Sequence, residues 1–350
     1  MKAHTKSMLL LIFCAGFIVI LSACSSNENT SATNDENGSD GGDGDGKTYE
    51  LRITHVLPED HASNIALEEW KETLAEESNG RIDLQIYPNG QLYGSDAEAT
   101  EAVQLGNIEM TMIGTFTLAS FNEKFMVFDL PFLFKSRETA HKAMDGKLGE
   151  TLLKELPDMD MVGLGYGENG FRQFMNSEHP IESIEDFKGL KTRVVENELY
   201  QDTFDELGAN PSPHAFGELY SALQQGTFDG GDMPISIITS NKFYEVQDYL
   251  TMTDQFYAPV ITLINKEKFQ SMPDDLQTLL KETGKEMSKR QRELAKKQDT
   301  ENIELLKEKG MEINELTAEQ KEKLREKVQP VYDKYKDVIG EDLIKLAKPE

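Results

Sequence analysis

Apolar and polar residues alternate along two short segments near the start of the folded chain. The alternation over residues 49–54 and 81–87 predicts two strands. Between them, apolar residues at helical spacing predict a helix over 62–78, with Gly80 as its stop. A short helix over 97–105 and a strand over 108–113 follow. Strand, helix, strand, helix, strand is the order typical of a parallel sheet covered by helices on both faces.

The rest of the chain continues the α/β pattern. Residues 121–134 are rich in Phe, Met, Leu and Val, which fits either an apolar ligand wall or ordinary core packing, and we favour the core. A helix is expected over 137–156 and a buried strand over 161–166, and a second α/β unit then follows over about 171–257. The apolar strand 260–264 should then return to the first unit. A long charged helix over 273–309 precedes a terminal helix that starts with a capping box at Thr317 and reaches residue 339. Repeated crossings between two units predict a hinge.

Composition narrows the class of protein. The 350 residues include 36 Lys and Arg against 63 Asp and Glu, a formal net charge of −27. Such a chain is a poor partner for nucleic acid or for an anionic membrane surface. The length suffices for two domains with sizeable cores, and the 38% of apolar residues suffices for a globular core.

The N-terminus has the pattern of an export signal. Lys2 and Lys6 precede the apolar run 8–21, which is too short for a comfortable membrane span. The following Leu-Ser-Ala-Cys ends at Cys24 and resembles a bacterial lipoprotein signal. We therefore expect residues 1–23 to be a lipoprotein signal peptide, with Cys24 as the lipidated residue.

A linker follows the signal. Residues 24–46 carry acidic, Gly, Ser and Asn residues, no positive charge and no large apolar side chain. This composition predicts a disordered acidic tether. Its aspartates lack the spacing of an EF-hand, so we expect no metal there. With Cys14 in the removed segment, the exported chain keeps one cysteine and no internal disulfide.

Two arginines in the stretch 166–234 stand in unusual settings. Arg193 lies in the strand-like run 191–195, and Arg172 follows Gly170, where the backbone is free to bend. A guanidinium fork offers a carboxylate two parallel charge-assisted hydrogen bonds. An arginine in a strand is more often a solvated edge residue or half of a surface ion pair, and spacing alone leaves both interpretations open.

Longer motifs in this stretch favour the functional interpretation. They are Gly-Phe-Arg at 170–172, Asp-Phe-Lys-Gly-Leu-Lys-Thr-Arg-Val at 186–194, Gly-Ala-Asn-Pro at 208–211, Phe-Gly-Glu-Leu-Tyr-Ser-Ala-Leu-Gln at 216–224 and Lys-Phe-Tyr-Glu-Val-Gln at 242–247. In sequence and order they resemble the solute-binding proteins of TRAP (tripartite ATP-independent periplasmic) transporters. Weaker similarity extends over about 49–309.

The resemblance implies a fold and its domain limits. It implies an α/β, two-lobed, periplasmic-binding-protein-like clamp with two mixed or parallel sheets, flanking helices, hinge crossovers and a long helix spanning both lobes. Lobe I is expected to comprise residues 47–168 with about 258–298, and lobe II 169–257 with about 299–345.

The resemblance also implies site residues. Arg193 matches the family's carboxylate-clamping arginine, Arg172 a second, supporting arginine, and Phe216 an aromatic that packs on the ligand. His55 and Thr115 match positions that line the pocket from the other lobe.

Three further positions bear on the ligand. Asn169 stands beside Arg172 and is placed to donate to a hydroxyl. Many relatives carry Gly-Gln-Glu-Asn-Pro where this chain has 230–234, so Met233 replaces an asparagine and Asp232 becomes a candidate for the polar role. A sugar acid such as D-glucuronate or D-galacturonate is our first expectation, and a C4-dicarboxylate is the alternative.

Other functions have weaker support. The chain has no Gly-x-Ser-x-Gly motif, no catalytic cysteine candidate and no histidine spacing typical of a metal site, so we expect neither an enzyme nor a cofactor. A solute-binding lipoprotein of an ABC transporter or sensor, or an adhesin, would share the composition. The expected partners are a small carboxylate and the TRAP membrane subunits, at the outer face of a membrane in a cell of Gram-positive type.

Overall fold

Nine strands pair into one continuous mixed sheet in residues 47–348, the part of the chain that the computed structural model describes. The strands are β1 (Tyr49–Thr54), β2 (Ile82–Tyr87), β3 (Met110–Gly114), β4 (Met161–Asn176), β5 (Lys191–Val194), β6 (Asn210–Pro213), β7 (Gly230–Pro234), β8 (Tyr249–Asn265) and β9 (Glu312–Glu315). Their order is β2-β1-β3-β8-β4-β7-β5-β6, and β9 pairs with β8. The expected signal peptide, tether and Cys24 lie outside the described residues.

Helices cover this sheet. They are α1 (Ala62–Glu77), α2 (Asp96–Gln104), α3 (Arg137–Asp145), α4 (Lys147–Leu153), α5 (Glu198–Leu207), α6 (Leu219–Gln224), α7 (Ile235–Ser240), α8 (Lys266–Gln270), α9 (Asp274–Glu308), α10 (Ala318–Lys327), α11 (Gln329–Ile339) and α12 (Glu341–Leu346). None of the helices in the described range is long and apolar enough to cross a lipid bilayer.

The first strands confirm the predicted parallel unit. β1 pairs in parallel with β2 and with β3, and α1 and α2 connect the strands in sequence. β8 then pairs antiparallel with β3, so the apolar run 260–264 returns to the first unit as expected. The Ser95 hydroxyl caps α2 by accepting from the Glu98 amide.

Two long strands join the halves of the sheet. β4 and β8 pair antiparallel along almost their whole length, with irregularities between Gly163 and Gly165, Glu168 and Gly170, and Arg172 and Phe174. The α/β fold, mixed sheet and flanking helices are confirmed. The expectation of two separate sheets needs correction, because these strands run without a break from the β1–β3 half into the β5–β7 half.

The glycines of β4 explain why its length was underestimated. The sequence predicted this strand only over 161–166, and two further glycines follow at 167 and 170, a residue type that normally weakens a strand. In the fold, a Cβ on Gly165 would lie 2.4 Å from the Ser288 hydroxyl, and one on Gly167 would lie 2.5 Å from Gln291 Oε1. Both partners are on α9, so the glycines allow this helix to pack directly on the strand.

The expected long helix is present as α9, with 35 residues. It packs on α1, β4 and α7, and therefore contacts elements from both halves of the sheet. The Trp70 indole donates to Thr283 Oγ1 at 2.8 Å, and Gln291 Nε2 donates to the Glu168 carbonyl at 2.6 Å.

Residues 121–134 belong to the core, as favoured from the sequence. Phe125, Val127 and Phe128 are fully buried in the largest apolar cluster. The predicted helix 137–156 is instead split at Gly146, where a Cβ would lie 2.6 Å from the Lys142 carbonyl. The terminal helix begins at the expected Thr317 capping box but continues as three shorter helices.

Candidate ligand-binding site

A cavity of about 300 Å³ lies at the carboxyl ends of β1, β3 and β5, where α/β sheets commonly bind ligands. The loops after these strands, the start of α2, and the middle of β4 and β8 contribute its wall. Most wall residues are apolar, among them Met112, Met233, Ile237 and Val260. Because the wall contains few polar groups, each of them contributes strongly to the orientation of a ligand.

Arg193 reaches this cavity from β5. The side chain is 3% exposed, and its Nε and Nη2 donate to the His214 carbonyl at 2.9 and 2.7 Å. A guanidinium has five N–H donors, so this carbonyl leaves part of the fork available to a ligand.

Arg193 makes no salt bridge within residues 47–348, although the more distant charges of Asp232 and Glu196 offset part of its burial. All eight arginines lie in the described residues, and each of the other seven has a carboxylate oxygen within 3.6 Å. Burial, together with the nearby charge of Arg172, lowers the pKa of Arg193 from 12.5 to about 10. A buried cation without a counter-charge is unfavourable, and a bound anion would relieve it.

Arg172 also lines the cavity, but Asp232 occupies its fork. Arg172 Nε and Nη2 both contact the Asp232 carboxylate, and Nη2 also donates to the Asp232 carbonyl at 2.7 Å. Asp232 is fully buried and lies outside the cavity wall. Asp232 is therefore the counter-ion of Arg172, and its carboxylate does not reach the cavity in which a ligand would bind.

Two residues of the wall have a buried side-chain oxygen without a partner. Asn169 Oδ1 and Thr117 Oγ1 have no hydrogen bond within the described residues, and the two residues are 9% and 5% exposed. Leaving such groups unpaired costs about 1–3 kcal/mol each. Both are therefore well placed to bond a polar ligand. Phe216 and Met233 complete the predicted residues that reach the wall.

Two predicted residues lie behind the wall. His55 is 1% exposed and its Nε2 is 3.2 Å from Asn64 Oδ1. Burial lowers the pKa of His55 to about 4, so the ring is neutral at pH 7. Thr115 is fully buried and donates to the Pro259 carbonyl at 3.4 Å. In each case it is an adjacent residue that lines the cavity, Val56 after His55 and Gly114 before Thr115.

Asp96 and Glu196 are wall residues that the sequence did not single out. Asp96 begins α2, and its Oδ2 accepts from the Gly114 amide at 2.9 Å. Burial raises the pKa of Asp96 to about 6, although the Gly114 bond and the charge of Arg193 oppose this rise. The helix predicted over 97–105 left Asp96 just outside it, and nothing local indicated that this carboxylate lines the same cavity as Arg193.

A network of charged side chains lies next to Asn169 of the cavity wall. Glu168 contacts Arg137, His141 and Tyr257, and Arg137 also contacts Asp299. Within residues 47–348, no group of three or more His, Cys, Asp or Glu side chains is arranged to hold a metal ion. The contacts of Glu168, Arg137, His141 and Asp299 form an ion-pair cluster beside the irregular pairing between Glu168 and Gly170.

Comparisons with known proteins agree with this architecture. Residues 53–337 match the family described as bacterial extracellular solute-binding protein, family 7. The C4-dicarboxylate-binding periplasmic protein DctP of Rhodobacter capsulatus is 33% identical over 303 residues, which cover 85% of this chain and 90% of that protein.

Two solved structures extend the comparison. The galactonate complex of the sugar acid binding protein DctPAm from Advenella mimigardefordensis superposes with a TM-score of 0.83 at 34% identity, covering 86% of this chain and 98% of that one. The TRAP periplasmic solute-binding protein of Sulfitobacter sp. NAS-14.1, with bound β-D-galacturonate, gives 0.82 at 30% identity, with 86% and 99% covered. The chain belongs to bacterial extracellular solute-binding protein family 7, the DctP family of TRAP solute-binding proteins.

Proposed function

We propose that this protein captures a sugar acid with a single carboxylate, such as a hexuronate or an aldonate, and that Arg193 holds that carboxylate. The observation that carries the proposal is the buried guanidinium of Arg193 in the wall of the cavity, which has no carboxylate partner in the part of the chain that the structure describes. A ligand carboxylate would supply its missing counter-charge. Asn169 and Thr117 would bond ligand hydroxyls or the carboxylate itself.

The other charges in the wall favour one carboxylate over two. Arg172 is already paired with Asp232, and the wall contains no lysine or histidine. Asp96 and Glu196 add negative charge to the wall, which repels a second ligand carboxylate but accepts hydrogen bonds from hydroxyls. The relatives bound to galactonate and galacturonate support this choice.

A C4-dicarboxylate remains the second candidate, because the Rhodobacter capsulatus relative is named for binding one. That ligand would need a second cation. Arg172 could serve only if Asp232 released it, at the expense of a buried ion pair.

The wider role follows from the family and the leader sequence. We propose that the receptor is lipid-anchored through Cys24 at the outer face of a Gram-positive type membrane and delivers its ligand to TRAP membrane subunits. Closure of two lobes would trap the ligand, with the hinge at the irregular pairing of β4 and β8.

A thermal-shift screen of the purified protein tests the ligand. Galactonate, galacturonate and glucuronate are compared with succinate and malate. A ligand present at a hundred times its Kd should add about 2.7 kcal/mol of stability. A shift with the sugar acids that disappears in Arg193→Met, but persists in the surface control Arg325→Met, supports the proposal. A shift with succinate alone overturns the choice of substrate.

A further inference from the structure

A second cavity of about 280 Å³ lies beside the first. The two share Val56 and Phe216 in their walls. We call the first cavity the acid chamber and the second the outer chamber. The outer chamber is bounded on one side by the segment Asn89–Gly94 and on the other by residues of α6 and the end of α7.

The outer chamber has a different chemistry from the acid chamber. It contains no charged side chain in its wall. Asn89 makes no side-chain hydrogen bond within the described residues, and Asn241 uses only its Nδ2 group, which donates to the Ile237 carbonyl at 3.1 Å and to the Ser240 hydroxyl. The amide group of Asn89 and the Oδ1 of Asn241 are therefore available to a neutral polar ligand.

Aromatic rings and three glycines, Gly90, Gly94 and Gly217, complete the wall of this chamber. Tyr220 and Phe243 stack with an interplanar angle of 24°, and Phe216 meets Phe243 edge-on. Aromatic surface beside amide groups suits a sugar ring, since the ring presents apolar C–H groups on its faces and hydroxyls around its edge.

We propose that the outer chamber is a second subsite, which binds a neutral sugar unit linked to the acid held in the acid chamber. The ligand class is an aldobionic acid, in which a neutral hexose is joined to an aldonate. This inference rests on the proposed function, because Arg193 positions the acid unit. Because Val56 and Phe216 line both chambers, the glycosidic bond between the two sugar units would lie beside these residues.

Calorimetry on the purified protein tests the idea with defined probes. Gluconate is the single-unit acid, and lactobionate, cellobionate and maltobionate each add one neutral hexose to it. At least one aldobionate should bind about tenfold tighter than gluconate, as two or three added hydrogen bonds would provide. Digalacturonate, which places a second carboxylate in the uncharged chamber, should gain nothing over galacturonate. If every aldobionate binds no more tightly than gluconate, the outer chamber is not a subsite.

A matched pair of variants tests whether the outer chamber provides the extra affinity for the aldobionate. Asn89 and Asn79 are both exposed and both have left-handed backbones, with φ of 56° and 54°, so glycine is tolerated at either position. Asn89→Gly should weaken the preferred aldobionate about threefold to tenfold and leave gluconate unchanged. Asn79→Gly, outside both chambers, should change neither. The proposed subsite is refuted if Asn89→Gly and Asn79→Gly bind the aldobionate equally tightly and Tyr220→Ala also leaves that affinity unchanged.

The outcome also separates this inference from the proposed function. If gluconate or galactonate binds and Arg193→Met abolishes it, the acid chamber is correct whatever the aldobionates do. If no acid of either length binds, the proposed function fails and the second subsite fails with it.

Discussion

Replacement of Arg193 by methionine should remove ligand binding without unfolding the protein. In the unliganded state the buried guanidinium has no counter-ion, and its pKa of about 10 against an ordinary 12.5 corresponds to about 3 kcal/mol of unfavourable free energy for the charged form. Methionine removes that cost. It leaves the His214 carbonyl without its donor, which costs about 1–3 kcal/mol. The free energy of unfolding should therefore change by no more than about 2 kcal/mol.

Binding should respond very differently. Removal of one partner from a buried, hydrogen-bonded charge pair costs about 2–5 kcal/mol, which is about a 30-fold to 5,000-fold rise in Kd. Calorimetry with the sugar acid found in the screen measures this rise, and urea denaturation without ligand measures stability. An unchanged Kd in a folded Arg193→Met protein would refute the clamp. A loss of more than about 4 kcal/mol without ligand would refute the claim that this charge is uncompensated.

Four other changes test separate parts of the structure. Arg172→Met leaves Asp232 buried and unpaired, so urea denaturation should show a loss of about 3–5 kcal/mol. Asp96→Lys supplies a second cation, and calorimetry should show succinate binding rise at least about tenfold while the sugar acid weakens. Gly170→Ala should lower stability by about 1–3 kcal/mol, because φ is +88° and a Cβ would lie 2.7 Å from Arg137 Nη2. Burial raises the pKa of Asp129 from 3.8 to about 8, so the folded state holds this proton more tightly and the carboxyl destabilises the fold as pH rises through that window. The stability of Asp129→Asn relative to wild type should therefore increase between pH 5 and pH 8, and an equal difference at the two pH values would contradict the assignment.

The parts of the fold that depend on local patterns could be predicted from the sequence. The alternation in β1 and β2 and the helical spacing of α1 and α9 depend on residues close together in the chain. β4 was underestimated because its glycines serve the packing of α9, more than a hundred residues away in sequence. No local signal records such a contact.

The candidate site likewise combines features that local motifs predict with features that depend on contacts between distant residues. Arg193 and Arg172 stand out in their own motifs, and both reach the cavity. The ion pair of Arg172 with Asp232 depends on the pairing of β4 with β7, and the presence of Asp96 and Arg193 in one cavity wall depends on the fold of the whole sheet. Only the three-dimensional structure could show that Arg172 is already paired with a carboxylate, whereas Arg193 has no carboxylate partner among the described residues.

The continuity of β4 also limits how this receptor can diversify. Arg172 is paired on both sides, with Pro234 of β7 and Phe256 of β8, and Asn169 lies three residues before it at an irregularity in the pairing of β4 with β8. Insertion or deletion of one residue in a regularly paired part of β4 before Arg172 would turn the following side chains to the opposite face and carry Arg172 out of the site. New ligand preferences should therefore arise by substitution, or by length changes in loops such as Asn89–Gly94, while the number of residues in β4 stays constant.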